Sequence, residues 1–415
     1  MTEYKNSVVS GAELEPLFSL GELYVSDFLK EDEEPKGPPC ELKLGFDPET
    51  TALQLMCQPD SSFLWGSIYW YRSGVNPSMV SALYNLMQST IDCIPKLQTR
   101  EIFVDCAGND GTLLSFLPSD RYLRVNIDPS DYPDTLNNCD LFIQDYFSKE
   151  AYFKNLDKPC RYFTAAAVFY DLSEPQKFLQ DVYDILADDG IAVLQLSYTP
   201  LMIEQMEFGN ICHEHLVYYN LHSLVYVTEQ CGFIIRDVEL NSVNGGSIRL
   251  FLQKENAPDN FMTLAHSYVR DVKVESLLAW EKDYGYCYQK TYLDFFERVL
   301  QLKEKTVNFI KEEKNKGKSI YGYGASTKAA TLYQFFGLNN TLIDKIAEKQ
   351  ECKWGRRTAG TNIPICSEEE MRKAQPDHLL VGPWFFKEVF VEREKEYLEK
   401  GGNMIFPAPY FHTYR

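Results

Sequence analysis

The chain has 415 residues, 45% of them hydrophobic and 14% aromatic, with a formal net charge of −19. Such a length predicts two or three domains, and without an apolar run of about 18 residues or a charged, apolar, then small N-terminal pattern the expectation is a soluble cytoplasmic protein with no membrane span. The negative balance opposes nucleic acid and anionic lipid as partners, and eleven cysteines that never form a CxxC pair speak against a disulfide framework or a zinc knuckle.

Residues 1–85 mix short apolar stretches with the acidic run Glu31 to Glu34 and Pro38-Pro39. LKLGFDPETTALQLM predicts a hairpin through Asp47-Pro48, so this part is read as a small strand-rich module. From Ser78, MVSALYNLMQSTIDCI has apolar positions at helical spacing and leads into residues 86–260. There, apolar β-rich runs (EIFVDC, YLRVNID, CDLFIQ, RYFTAAAVF, GIAVLQLS) alternate with helical stretches, which predicts an α/β fold with a twisted, largely parallel sheet. FIIRDVEL and SIRLFLQ flank the turn-forming Asn241 to Gly246 and read as an antiparallel hairpin closing that sheet. Residues 261–316 are charged and helical, with Phe295, Val299 and Leu302 on one face, and connect two lobes. Residues 317–415 restart the strand, glycine turn and helix pattern with KSIYGYGASTKAATLYQFF and form a second, smaller α/β unit.

In EIFVDCAGNDGTLLSFL a strand ends in Asp105, passes through Gly108, Asn109, Asp110 and Gly111, and enters a helix. Such a turn brings backbone amides and a helix N-terminus against an anionic group at the carboxyl end of a strand. Asp128, about twenty residues on, ends the next strand where a carboxylate can take two ribose hydroxyls. Asp145, followed by Tyr146 and Phe147, is a candidate for the adenine amine and ring. A dinucleotide site shares this geometry, but the loop is not GxGxxG, and its acidic residues suit an amine or a sulfonium, which favours S-adenosylmethionine over NAD.

FGNICHEHLVYYNLHSL holds His213, Glu214, His215 and His222, three of the six histidines. Spacing of two puts His213 and His215 on one side of an extended segment, and the run is not HExxH, which excludes the zinc-protease geometry. An imidazole is suited to removing a carbon-bound proton near neutrality once Glu214 or a backbone carbonyl fixes its tautomer; a polar cluster tying elements together is the alternative. In SVNGGSIRLF, Gly245 and Gly246 allow close approach to a ligand and Arg249 could pair with a phosphate, although a plain hairpin would read the same.

Together these segments resemble the sugar C-methyltransferase family, which acts on nucleotide-linked keto-deoxysugars. YWYRSGVNPSM, DCAGNDGTLL, NIDPS, ICHEHLVYY, VNGGSIRLF, YGYGASTKAATL and GGNMIFPAP follow the family's order. The resemblance implies a central Rossmann-like class I methyltransferase sheet and a C-terminal Rossmann-like substrate domain. It also implies S-adenosylmethionine as cofactor, and a nucleotide-diphosphate keto-sugar methylated through an enolate, in a monomer or homo-oligomer. It makes His215 the general base and Glu214 a supporting acid, with His213 and Tyr71 beside them, and places Tyr69, Asn244, Gly245, Arg249, Gly324, Ser326 and Lys328 around the substrate. Three departures stand out. The family's N-terminal zinc cysteines are reduced to Cys40 and Cys57, so no metal is expected; Cys212 stands where a tyrosine often precedes HEH; and Tyr170-Asp171 stands where some members carry a histidine. Two other readings remain: an NAD-dependent nucleotide-sugar oxidoreductase or epimerase using GYGAS, with Asp344 as its nearest acid, or a catalytically silent relative.

Overall fold

A computed structural model describes residues 1–64, 72–130, 135–262 and 270–415. In the N-terminal module, β1 (Glu15–Leu23), β2 (Cys40–Phe46) and β3 (Leu53–Leu55) form an antiparallel sheet. The hairpin at Asp47 forms as the sequence indicates. Its buried carboxylate accepts from the Glu49 and Thr50 amides and the Thr50 hydroxyl, which closes the turn from within.

Helix α1 (Pro77–Asp92) starts at Asn76, whose side chain accepts from the Ser78 amide, with proline at the first helical position. The central unit follows as β4 (Glu101–Cys106), α2 (Thr112–Ser115), β5 (Tyr122–Ile127), β6 (Leu141–Ile143), β7 (Cys160–Ala166), α3 (Pro175–Ile185) and β8 (Leu186–Ser197). It continues through β9 (Val217–Tyr218) and α4 (Leu221–Gln230) to β10 (Phe233–Asn241) and β11 (Ser247–Lys254). Its seven-stranded sheet has the order β10-β11-β8-β7-β4-β5-β6, parallel except for β11, which runs against both neighbours. That order, with the penultimate position held by the one reversed strand, is the class I methyltransferase sheet the sequence implies.

Side chains alternate across this sheet as period-two strands require. Phe103, Tyr162, Ile191 and Val193 face α1 and its buried Leu86, Met87 and Ile91. Val104, Phe163, Ala192 and Leu194 face the other way, into one core continuous with the N-terminal and C-terminal units. Each fully buried aliphatic or aromatic side chain contributes about 2 kcal/mol to these layers.

Two connector helices, α5 (Arg270–Asp283) and α6 (Gln289–Asn315), lead to the C-terminal unit, and α6 buries Phe295, Val299 and Leu302 along one stripe. Strands β12 (Ile320–Tyr323), β13 (Lys345–Glu348), β14 (Ile365–Ser367), β15 (His378–Val381), β16 (Asn403–Phe406) and β17 (His412–Tyr414) follow, with α7 (Thr327–Phe336) after β12. They make a sheet of order β14-β13-β12-β15-β16-β17, the smaller Rossmann-like unit expected. The modules are interlocked. β9, just past the HEH segment, pairs with β3, so the N-terminal sheet has the order β9-β3-β2-β1. Phe208 stacks on Phe336 of α7 and on Trp384 of the C-terminal unit. Among the described residues no helix is long and apolar enough to cross a membrane.

Candidate active site

The order of the central sheet puts its switch point between β4 and β7, whose carboxyl ends form the crevice where open α/β sheets bind ligands. On the β4 side the turn after Asp105 takes up left-handed backbone at Ala107, Asn109 and Gly111. A Cβ at Gly108 would lie 2.6 Å from Asn126 Oδ1 and 2.7 Å from Asp105 Oδ2, so only glycine fits. The Asn109 amide donates to Asp128 Oδ2 at 2.8 Å, and the Ser130 amide donates to Oδ1 at 2.8 Å. Burial pushes the Asp105 carboxyl up to about 7, and a 2.7 Å bond from the Thr164 hydroxyl pulls it back.

The donor set fits the methionine-derived cofactor. Asp105, Asn126 and Asp128 crowd oxygens around the loop, and the buried Asn126 Oδ1 has no partner, an arrangement that suits an ammonium or sulfonium. Asp145 lies exposed past the end of β6, open to an amine. Two expectations need correction. Asp110 serves the loop itself, accepting from the Gly74 amide and the Thr112 hydroxyl. Phe147 turns inward against Phe163 and Phe178, and the exposed ring at that strand end is its neighbour Tyr146. The Ser73 amide donates to Asn109 Oδ1, so the RSGV stretch closes over the loop; Tyr69 and Tyr71 lie outside the described residues.

On the β7 and β8 side, the HEH segment is a turn rather than an extended run. The His215 amide donates to the Cys212 carbonyl at 3.2 Å, so the two imidazoles diverge. His213, buried, reaches the Cys40 carbonyl at 3.0 Å through Nε2, while its own carbonyl accepts from Gln58, so it pins the N-terminal module and is removed from the chemistry. His215 Nδ1 lies 2.9 Å from the Asn210 carbonyl, which makes Nδ1 the protonated nitrogen and leaves Nε2 as the basic one. A small cleft lies beside it, lined in part by Tyr170, Ser197, Thr199, Asn210, His215 and Tyr218. Burial lowers the His215 pKa to about 4, with Lys328 pushing the same way against the Asn210 carbonyl, so the ring is neutral at physiological pH.

Glu214 does not orient His215. It lines a second cleft with Cys212, Tyr24 and Thr331, and burial raises its carboxyl. Asp171, on the loop after β7, is raised well above the carboxylate range by burial and then by Glu214, and each carboxyl keeps one buried oxygen unpartnered. Beside Cys212, the Tyr218 hydroxyl on β9 accepts from the Cys212 amide at 3.3 Å, donates to the Asn210 carbonyl at 3.4 Å and lines the same cleft as His215.

Arg249 is corrected outright. It sits opposite Gln195 on one neighbouring strand and Glu239 on the other. Its five N–H donors go to Gln195 twice, Glu239, Ser89 and Asn85, so none remains for a phosphate. Lys328, reaching from α7, donates to the Asn244 carbonyl and lies 3.5 Å from Glu207 Oε2. A Cβ at Gly245 would collide with that glutamate. Glu207 is 1% exposed; burial raises it to about 7 against the pull of Lys328. Its backbone carbonyl accepts the Asn210 amide, and the Asn210 carbonyl in turn holds His215, which links the C-terminal unit to that imidazole. Sequence reasoning missed Glu207 and Tyr218; an acid inside the apolar stretch MEFGNI was the available signal for the first. Lys328→Met is expected to move the acid limb of the pH–rate profile to higher pH, because removing the cation lets the His215 pKa rise and protonation silences a base; a profile recorded with both proteins checks this.

In the C-terminal unit, Gly324 has φ of +88° and packs on Pro383, while the Ser326 hydroxyl caps α7 by accepting from the Ala329 amide. An acid does end the second strand here: it is Glu348, not Asp344, which lies before β13 and accepts from the Ile320 amide. Glu348 accepts from the Ala325 and Gln350 amides, the same loop-to-acid bond that joins Asn109 to Asp128. In the N-terminal module the Cys40 and Cys57 sulfurs lie 3.1 Å apart. Among the described residues no group of three or more His, Cys, Asp or Glu could hold a metal ion.

Residues 242–409 match the family described as C-methyltransferase C-terminal domain. Over 241 residues the chain is 31% identical to the C-methyltransferase NovU of Streptomyces niveus, a match covering 58% of this chain and 55% of NovU, so it spans little more than half of that relative. Similar solved structures include an S-adenosylmethionine-dependent methyltransferase of Listeria monocytogenes (8% identity, TM-score 0.33, 42% of this chain and 98% of that one). Another is the Burkholderia thailandensis 1,6-didemethyltoxoflavin-N1-methyltransferase (11% identity, TM-score 0.32, 47% and 84%). The chain is thus similar to C-methyltransferases over these regions, and the strand order carries the fold assignment.

Proposed function

We propose that this relative of the C-methyltransferases is itself an S-adenosylmethionine-dependent C-methyltransferase, acting on the carbon next to the ketone of a nucleotide-diphosphate deoxysugar. The observation that carries the reading is His215: a neutral imidazole that lines the cleft, with its tautomer fixed by Asn210. When bound, S-adenosylmethionine supplies an electrophilic methyl group. Asp105, Asn126 and Asp128 would hold its cationic and ribose portions. His215 Nε2 takes the proton alpha to the ketone, and the hydroxyl groups of Ser197 and Thr199 are the donors beside the enolate oxygen that forms. Gly324, Ser326 and the first turn of α7 offer backbone amides to the nucleotide end of the sugar.

Incubation with methyl-labelled S-adenosylmethionine and a panel of nucleotide-diphosphate keto-deoxysugars tests this, read by mass spectrometry and NMR. The expected product carries the label on carbon alpha to the ketone. Label on oxygen or nitrogen, or binding of NAD at Glu348 without binding of adenosylhomocysteine, would overturn the reading in favour of another transferase or the oxidoreductase.

A further inference from the structure

A second cluster of reactive groups lies away from the cleft, where the turn between α5 and α6 packs on the start of α4. Glu281 of α5 is fully buried and accepts from four donors: the Tyr198 hydroxyl, the Leu221 and His222 amides, and His222 Nδ1 at 2.6 Å. An imidazole hydrogen-bonded to a carboxylate is favoured in its charged form. The Cys287 sulfur lies 3.5 Å from His222 Nδ1 and 3.8 Å from Nε2, on a partly exposed side chain. The contacts to Cys287 and then Glu281 raise the His222 pKa to about 9. The other titratable groups around the pair are Tyr198 and Tyr292, with Glu204 held by Tyr286.

We propose that Cys287 is a nucleophilic modification site, its sulfur set against the His222 imidazole that Glu281 holds, and that it takes up a small disulfide by exchange. The near-equal distances to the two ring nitrogens set the sulfur beside the ring rather than in line with Nε2. A charged imidazole beside a sulfur favours thiolate formation without relaying the proton onward, which suits exchange better than acyl transfer. In the step, the Cys287 thiolate attacks one sulfur of the small disulfide; a new S–S bond forms, the old one breaks, and the departing thiolate takes its proton from water. One disulfide replaces another, so no further oxidant is needed. Exposed Tyr284 and Tyr288 flank the cysteine and suit an aromatic or apolar partner.

The whole protein supplies its own reference, because Cys352 is exposed and the other nine cysteines are buried. After brief treatment with an aromatic disulfide reagent at about pH 6, peptide mapping compares modification of Cys287 with that of Cys352. Cys287 is expected to react roughly ten-fold faster or more, since the thiolate is the reacting form. His222→Gln is expected to remove that advantage while leaving the Cys352 rate unchanged, and continued protection of the nine buried cysteines reports that the fold is retained. Equal or slower reaction of Cys287 in the parent protein overturns the proposal, as does an undiminished rate in the His222→Gln protein.

Discussion

His215→Ala is expected to lower kcat for methyl transfer by about 10²- to 10⁴-fold, the usual contribution of a positioned general base. Adenosylhomocysteine binding is expected to stay close to that of the parent, because the acidic loop makes its contacts on the other side of the switch point. Rate assays and calorimetric titration of the two proteins check both halves, and equal rates would remove the base assignment. A pH consequence accompanies it. The folded-state pKa of about 4 lies below the ordinary 6.5, so the unfolded chain binds this proton first as pH falls. Stability tied to His215 is therefore present above about 6.5 and is lost progressively toward pH 4.

Asp128→Ala acts on binding instead. The substitution removes the carboxylate proposed to take the ribose hydroxyls and leaves the Asn109 amide, now held at 2.8 Å, without its acceptor. Charged hydrogen bonds contribute about 1.5–3 kcal/mol each, so affinity for adenosylhomocysteine is expected to fall roughly 100-fold. The His215 cleft is expected to keep its shape. Titration calorimetry reads the loss, and an unchanged dissociation constant would detach the loop from the cofactor.

Much of this was legible because it is local. The Gly108 turn, the strand before it and Asp128 after it follow rules that span a few residues, and they fall where expected. The hairpin at Asp47 is of the same kind. Several of the differences are questions of what lies across a strand pair or a domain contact, and others of a local turn. Arg249 was read as a free cation because the sequence does not show that Gln195 and Glu239 stand opposite it. His213 and His215 were read as neighbours on one face, whereas a turn of four residues sends one ring to the Cys40 carbonyl and the other to Asn210. Lys328 faces Glu207 and Asn244 for the same reason: its partners come from a different unit.

Because Val217 and Tyr218 complete a sheet begun by residues near the start of the chain, the first module is no detachable ornament. Cutting it away would strip the segment after the base of its ladder and unfasten the neighbouring imidazole from its carbonyl. The proposed activity would then belong to the assembled chain, and a central unit grafted alone onto another scaffold would arrive with His213 and the strand after His215 unsupported.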